Sequence, residues 1–346
     1  MSKFRSVFRA GQQVQVRSRE EILATLDDSG SMDSLPFMAE MLRFCGKRFT
    51  VFASAHKTCD TVKLTGGRRM EKAVHLDGVR CDGSAHGGCQ ANCLIFWKDE
   101  WLKPIAGSQP SPEPPSPDDV PEPDDLLARN ARLQDDDPQD PTYVCQATRM
   151  YEATVPLEPT GSQQYVDDIA SGNVKLPEAA KILVLDFIYN LRNSGRAFRL
   201  AKKLYEFAHR VLRGRPPPFG TGNIPVGDAT PTIELDLQAG ELVRVRPHED
   251  ILATLNVESR NRGMTFDKEM ARYCGQEFRV GARITHTIDE TTGKMLTIRS
   301  PSVILEGTYC TSQYSERRLM CPRRIVPYWR EIWLERIDSP ESVSDH

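Results

Sequence analysis

Residues Gly11 to Val51 align without a gap with Gly240 to Val280, a constant offset of 229 positions, and eighteen of the 41 aligned positions are identical. Self-similarity of this length constrains the fold first, because whatever the earlier stretch builds the later one must build too. The identities include Val14/Val243, Val16/Val245, Arg17/Arg246 and the run Ile22-Leu23-Ala24-Thr25-Leu26 against Ile251-Leu252-Ala253-Thr254-Leu255. They continue with Phe37/Phe266, Glu40-Met41/Glu269-Met270 and Cys45-Gly46/Cys274-Gly275. The offset returns at Leu76/Leu305, Gly78/Gly307 and Cys81/Cys310; after three inserted residues Cys89 faces Cys321, Phe96-Trp97 faces Tyr328-Trp329, and Trp101 faces Trp333. The chain of 346 residues therefore carries two copies of one module, residues 8–103 and 237–337. Each is too long for a solenoid repeat and is expected to stand as a separate small domain.

Within each copy, Gly-x-x-Val-x-Val-Arg alternates with period two, as does Phe49-Thr50-Val51-Phe52 against Phe278-Arg279-Val280, so these segments predict half-buried strands. A long excursion with little β character separates them. An opening strand of this form, a long first loop and then short strands resembles the SH3-like barrels of KOW modules and of the nitrile hydratase β chain. The resemblance implies a small β-barrel for each copy and carries over no activity and no functional residue.

The formal net charge of −3 conceals a division. Between Pro104 and Thr142 ten acidic residues stand against two basic ones, a local charge of −8, which leaves +5 for the rest of the chain. The same stretch holds Ser-Gln-Pro-Ser-Pro-Glu-Pro-Pro-Ser-Pro, a composition that buries too little apolar surface to offset its ordering entropy. Residues 104–142 are thus expected to be a disordered acidic linker. From 143 to 215 a connector leads into a helical hairpin: Ile182, Leu185, Ile188 and Leu191 lie at helical spacing, Asn193-Ser194-Gly195 interrupts, and Phe198, Ala201, Tyr205, Ala208 and Leu212 resume until Pro216-Pro217-Pro218. The fold class expected is α+β, two repeated SH3-like barrel modules joined by the linker and the hairpin.

No apolar run is long enough for a membrane span, and the opening Met-Ser-Lys-Phe-Arg-Ser-Val-Phe-Arg lacks the core of a secretory signal, so a cytoplasmic protein is expected. Nine cysteines is an odd count, which rules out complete internal disulfide pairing, and in a reducing compartment such clusters more often bind metal. No phosphate loop, Gly-x-Gly-x-x-Gly turn, His-Glu-x-x-His or Gly-x-Ser-x-Gly elbow occurs, so neither a nucleotide cofactor nor serine hydrolysis is expected.

Three cysteines keep their places in both copies: Cys45/Cys274, Cys81/Cys310 and Cys89/Cys321. Thiolates from three separated segments suit a tetrahedral zinc site that a fourth nitrogen or sulfur closes. In the second copy His286 is the nearest candidate, with His248 as substitute; in the first, Cys93 or His86 is favoured, with His56 also close by. Two zinc ions are expected, with iron as the other metal considered. The competing reading is buried thiols without metal. Catalysis would need an open coordination position and an acid or base such as Glu40/Glu269 or Asp60/Asp289. Two functions follow. One is a tandem zinc-stabilised adaptor or regulatory protein that binds a protein or nucleic acid, for which Tyr328 and Trp329 among Arg317, Arg318, Arg323, Arg324 and Arg330 would offer stacking and phosphate pairing. The other is a metalloenzyme, a zinc hydrolase or lyase or an iron-dependent enzyme, with its active site in the first module.

Overall fold

The computed structural model describes residues 3–105, 124–133, 137–158, 161–193, 198–214, 217–218, 220–314 and 318–337. The first series of elements is β1 (Gln13–Val16), α1 (Arg19–Leu23), β2 (Ser31–Met32), β3 (Leu35–Pro36), a 3-10 helix Ala39–Phe44, β4 (Arg48–Ser54), β5 (Lys57–Cys59), β6 (Gly67–Arg69), β7 (Ala73–Leu76), β8 (Trp97–Lys98), a 3-10 turn Asp99–Trp101 and β9 (Leu102–Pro104). There follow α2 (Asp125–Asn130), β10 (Val155–Pro156), α3 (Gln163–Ala170), α4 (Leu176–Asn193) and α5 (Phe198–Arg213). The second series is β11 (Leu242–Val245), α6 (His248–Leu252), β12 (Arg260–Asn261), β13 (Met264–Thr265), a 3-10 helix Met270–Tyr273, β14 (Glu277–Arg283), β15 (His286–Ile288), β16 (Met295–Thr297), β17 (Ser302–Leu305), β18 (Tyr328–Arg330), a 3-10 turn Glu331–Trp333 and β19 (Leu334–Arg336). Two compact units result. The first comprises Met1–Val184, His286–Leu296 and Thr311–Arg324; the second comprises Leu185–Thr285, Thr297–Cys310 and Ile325–His346.

Each unit is built on a five-stranded antiparallel sheet, β8-β7-β4-β1-β9 in one and β18-β17-β14-β11-β19 in the other. Val14 pairs with Phe49 and Val51 with Leu76, just as Val243 pairs with Phe278 and Val280 with Leu305, and both β4 and β14 carry an irregularity two residues later. A one-residue slip would turn the buried Val14, Val16 and Val51 to solvent, so the shared alternation fixes the shared register. The edge strands β8 and β9 are consecutive through the Asp99–Trp101 turn, and among the described residues no pairing closes one on the other. The class is α+β with antiparallel sheets, as expected.

The identities of the repeat have local causes. Ser18 caps α1 in a reciprocal box with Glu21. At its end Thr25 Oγ1 donates to Ile22 O at 2.7 Å and accepts Trp101 Nε1–H at 3.0 Å, and Thr254 does the same with Ile251 and Trp333 at the same distances. Phe37 meets Trp97 and Trp101 edge-on, as Phe266 meets Trp329 and Trp333. The four tryptophans are wholly buried, which accounts for their spacing of four as core packing. A further equivalence is invisible as identity. Asp99 accepts Ser6 Oγ and the Val7 amide, and its counterpart Glu331 accepts the amides of Leu235, Asp236 and Leu237, so in both copies a buried or half-buried carboxylate anchors the chain entering the sheet.

Within the stretch expected to be linker, 106–123 and 134–136 lie outside the described residues. The part between them is ordered on the first unit: Asp124 caps α2 and pairs with Arg19 at 2.9 Å, Leu127 is buried in the first core, and Asn130 Nδ2 donates to Asp28 O. One apolar side chain and two specific polar contacts oppose the solvation that the acidic composition favours.

Candidate metal centre

Two elements of the first unit meet at Glu40, Cys81 and His86. Glu40 stands on the 3-10 helix Ala39–Phe44, whose Met41, Leu42 and Phe44 face the core; Glu40 is drawn inward with them and is 3% exposed. Cys81 and His86 stand on the loop that leaves β7. That loop folds back on itself: the amides of His86 and Gly88 both donate to Gly83 O, at 2.9 and 3.0 Å, and Cys81 N donates to Cys93 O at 2.8 Å. Gly83 has φ of +73°, and a Cβ there would lie 2.0 Å from Cys89 O, so only glycine permits the reversal. Asp82 accepts from Ser84 within the loop and pairs with Arg43 of the 3-10 helix at 2.6 Å.

The ligand-type atoms of Glu40, Cys81 and His86 all lie within 4.8 Å of one another. Cys81 Sγ donates to Glu40 Oε1 at 3.1 Å, and His86 Nδ1 is 3.2 Å from the same oxygen. His86 Nε2 is 3.1 Å from Val144 O, which only accepts, so Nε2 carries the proton. In a neutral ring Nδ1 is then a lone pair facing a carboxylate oxygen. Both Nδ1 and Glu40 Oε2 are buried without a hydrogen-bond partner. Two acceptors converging away from water need a proton or a metal ion between them. Burial, and then the Glu40 charge, push the Cys81 thiol well above its usual range, so without a cation it stays protonated. A metal ion reverses this, because a coordinated thiol is deprotonated. An imidazole whose other nitrogen donates to a backbone carbonyl is the arrangement found behind metal-ligating histidines.

Of the residues expected to bind metal, the structure brings together Cys81 and His86, and adds Glu40, which the sequence offered only as an acid or base. Cys45 lies apart. It ends the 3-10 helix with φ −55° and ψ 136°, before Gly46 at φ +74°, and Cys274 repeats those angles before Gly275. The charged groups acting on the Cys45 thiol are Arg19 and Glu20, and burial pushes it up to about 11. Cys89 Sγ accepts the Ile288 amide at 3.3 Å. Cys93 is pushed up to about 12, by burial and then by Glu290. His286, on β15, pairs by its backbone with Gln90. Cys321 belongs to the first unit, where its thiol donates to Cys59.

Cys274 and Cys310 belong to the second unit. There Glu269 and Cys310, counterparts of Glu40 and Cys81, both act electrostatically on Tyr273, whose hydroxyl donates to Tyr309 O and accepts Tyr309 N–H. The interval Cys310 to Cys321, which corresponds to Cys81 to Cys89, contains no histidine, and its residues 315–317 lie outside the described residues. His248 stacks near Phe266.

His56, the other histidine considered, enters a different buried cluster. Its Nε2 is 3.2 Å from Asp168 Oδ1, Lys57 Nζ is 2.5 Å from Asp168 Oδ2, and Ser54 Oγ is 3.3 Å from His56 Nδ1. Ser54, His56 and Asp168 are in line like a nucleophile relay, yet all three are wholly buried, so no substrate reaches Ser54. The cluster is an internal ion pair. His75, stacked on Phe96, is held down to about 3 by burial and is a neutral core residue that donates from Nδ1 to Ile95 O. Trp329, Arg323 and Arg330 are buried and committed to internal bonds, and Arg317 lies outside the described residues, so these three do not make an open stacking surface.

Comparison with protein-family models, curated proteins and solved structures finds no match for the chain. Among the described residues no helix is long and apolar enough to cross a membrane.

Proposed function

We propose that the first unit is a metal-stabilised β-module holding one zinc ion on Glu40, Cys81 and His86, and that the chain works as a non-enzymatic tandem-module adaptor. The observation that carries this reading is the convergence of ligand atoms of Glu40, Cys81 and His86 within 4.8 Å of one another, with His86 Nδ1 and Glu40 Oε2 both buried and without a hydrogen-bond partner. One oxygen, one thiolate and one imidazole form a borderline donor set that suits zinc better than calcium or magnesium. The ion would tie the Cys81–Cys93 loop to the 3-10 helix, in a small domain where a structural zinc contributes on the order of 10 kcal/mol.

The duplicated sheets support an SH3-like barrel for each module: a 3-10 turn joins the fourth strand to the fifth, and the fifth returns to the first. The second copy is read as a metal-free version, since no histidine stands between Cys310 and Cys321 and Tyr273 is satisfied by Tyr309. One ion per chain is thus proposed in place of the two that the sequence suggested. A protein partner fits better than nucleic acid, because Phe187, Leu204, Phe207 and Val211 expose apolar side chains on α4 and α5, which phosphate does not recognise.

A zinc-dependent enzyme is the second reading, favoured by a three-residue ligand set that leaves one position open. X-ray absorption on the zinc-loaded chain separates the two. A coordination shell unchanged by added azide or thiocyanate supports the adaptor; exchange of an oxygen ligand for the anion supports the enzyme.

A further inference from the structure

Cys59, which has no counterpart in the repeat, is not an isolated thiol. It ends β5 and accepts a hydrogen bond from the thiol of Cys321. Above it, Arg323 Nη1 lies 3.9 Å from Cys59 Sγ and 3.4 Å from Cys59 O. The guanidinium is fixed from its far side, with Nη1 donating to Thr61 Oγ1 at 2.9 Å and Nη2 to Glu290 Oε1 at 2.8 Å. Arg323 is 4% exposed and Cys59 and Cys321 are each 6% exposed. All of these groups belong to the first unit.

Two thiols in contact beneath a buried, positioned cation have the parts a dithiol oxidation needs: a sulfur whose anion is stabilised, and a second sulfur in reach to resolve it. We propose that Cys59 and Cys321 form a peroxide-sensitive pair that closes to a disulfide. The Cys59 thiolate attacks one oxygen of hydrogen peroxide, the O–O bond breaks, and Cys59 becomes a sulfenic acid while hydroxide leaves. The Cys321 sulfur then attacks the Cys59 sulfur; the S–S bond forms, the S–O bond breaks, and the departing hydroxide takes the Cys321 proton as water. Including the proton first lost by Cys59, two thiols and one peroxide give one disulfide and two waters. The hydrogen bond from Cys321, followed by the charges of Arg323 and Arg318, holds the Cys59 thiol below the usual thiol range against the opposing effect of burial. By contrast Cys93 and Cys145 are pushed up, to about 12 and about 11, chiefly by burial, so at neutral pH they are inert thiols beside a reactive one. Burial of the pair selects a small oxidant over a protein disulfide. Neither sulfur belongs to the metal centre, so this inference stands apart from it.

The test treats the whole zinc-loaded chain with one equivalent of hydrogen peroxide at pH 7, alkylates under denaturing conditions and maps the peptides. Two of the nine thiols are expected to be lost, and one linked species is expected to join the peptide of Cys59 to that of Cys321. In Cys321→Ser the same treatment should leave Cys59 as a sulfenic acid that dimedone captures. Retention of all nine thiols in the peroxide-treated wild-type chain, or a link between other cysteines such as Cys89 and Cys93, would overturn the proposal; this reading of the wild-type chain holds even if the variant does not fold.

Discussion

Replacing His86 with alanine is expected to abolish metal binding and to leave the first unit with the stability of the chelated wild type. The substitution removes the one imidazole nitrogen that converges on Glu40 and Cys81 and leaves Glu40 Oε1 buried with only the Cys81 thiol as donor. Stabilisation by a bound ion scales with its excess over the dissociation constant, about 2.7 kcal/mol at a hundredfold excess and about 4.1 kcal/mol at a thousandfold. Urea unfolding of the wild type should therefore shift by at least that amount on adding and removing zinc, while His86→Ala should not respond to zinc at all. Loss of the Val144 contact alone would predict something different: a variant weaker by about 1 kcal/mol that still responds fully to the ion.

Asp168→Ala should produce the second large effect. Asp168, on α3, is the counter-charge for Lys57, and both side chains are buried. Removing one member of a buried pair strands the other; this costs about 3–5 kcal/mol, a large part of the 5–15 kcal/mol that holds a typical domain. Lys57 would keep the Leu319 carbonyl at 2.8 Å and the Tyr165 ring, which do not neutralise it. The double variant Lys57→Met/Asp168→Leu removes both charges and should recover most of the loss, since well-packed apolar replacements of buried ion pairs are often neutral or stabilising. Denaturant unfolding of the two variants checks both statements. A double variant as weak as Asp168→Ala would show that packing, not charge, sets the cost.

What was legible in the sequence is what repeats or alternates. Val14, Val16 and Val51 announce strand, face and register, and the second copy confirms the spacing, so the pairing of β1 with β4 follows from pattern alone. The Thr25–Trp101 bond was not visible as such, but the identity of both residues across the copies marked them as coupled to the fold. Cys45 and Cys274 are alike in place as well as in type, each ending a 3-10 helix before a left-handed glycine, but residue type alone did not say which retained cysteines meet a carboxylate and an imidazole.

Glu40 was legible only as a retained acid. Whether a carboxylate at the second position of a short helix points outward or inward depends on the neighbours that close over it, here the reversal of the loop at Gly83. Asp168 and the Cys59–Cys321 contact were not legible at all, because they join segments far apart in the chain, and no period or spacing encodes such meetings. The acidic stretch shows the limit of composition. Its overall charge says nothing of Leu127, a single apolar residue that finds a place in the core.

The most direct test of the account is the zinc content of freshly purified full-length chain, measured by elemental mass spectrometry beside the same measurement on Cys81→Ser. One zinc per wild-type chain and none in the variant is the predicted result. Two ions per chain, or one that persists without Cys81, would place the metal on residues other than Glu40, Cys81 and His86; a wild type free of metal would mean that a proton, not an ion, joins His86 to Glu40.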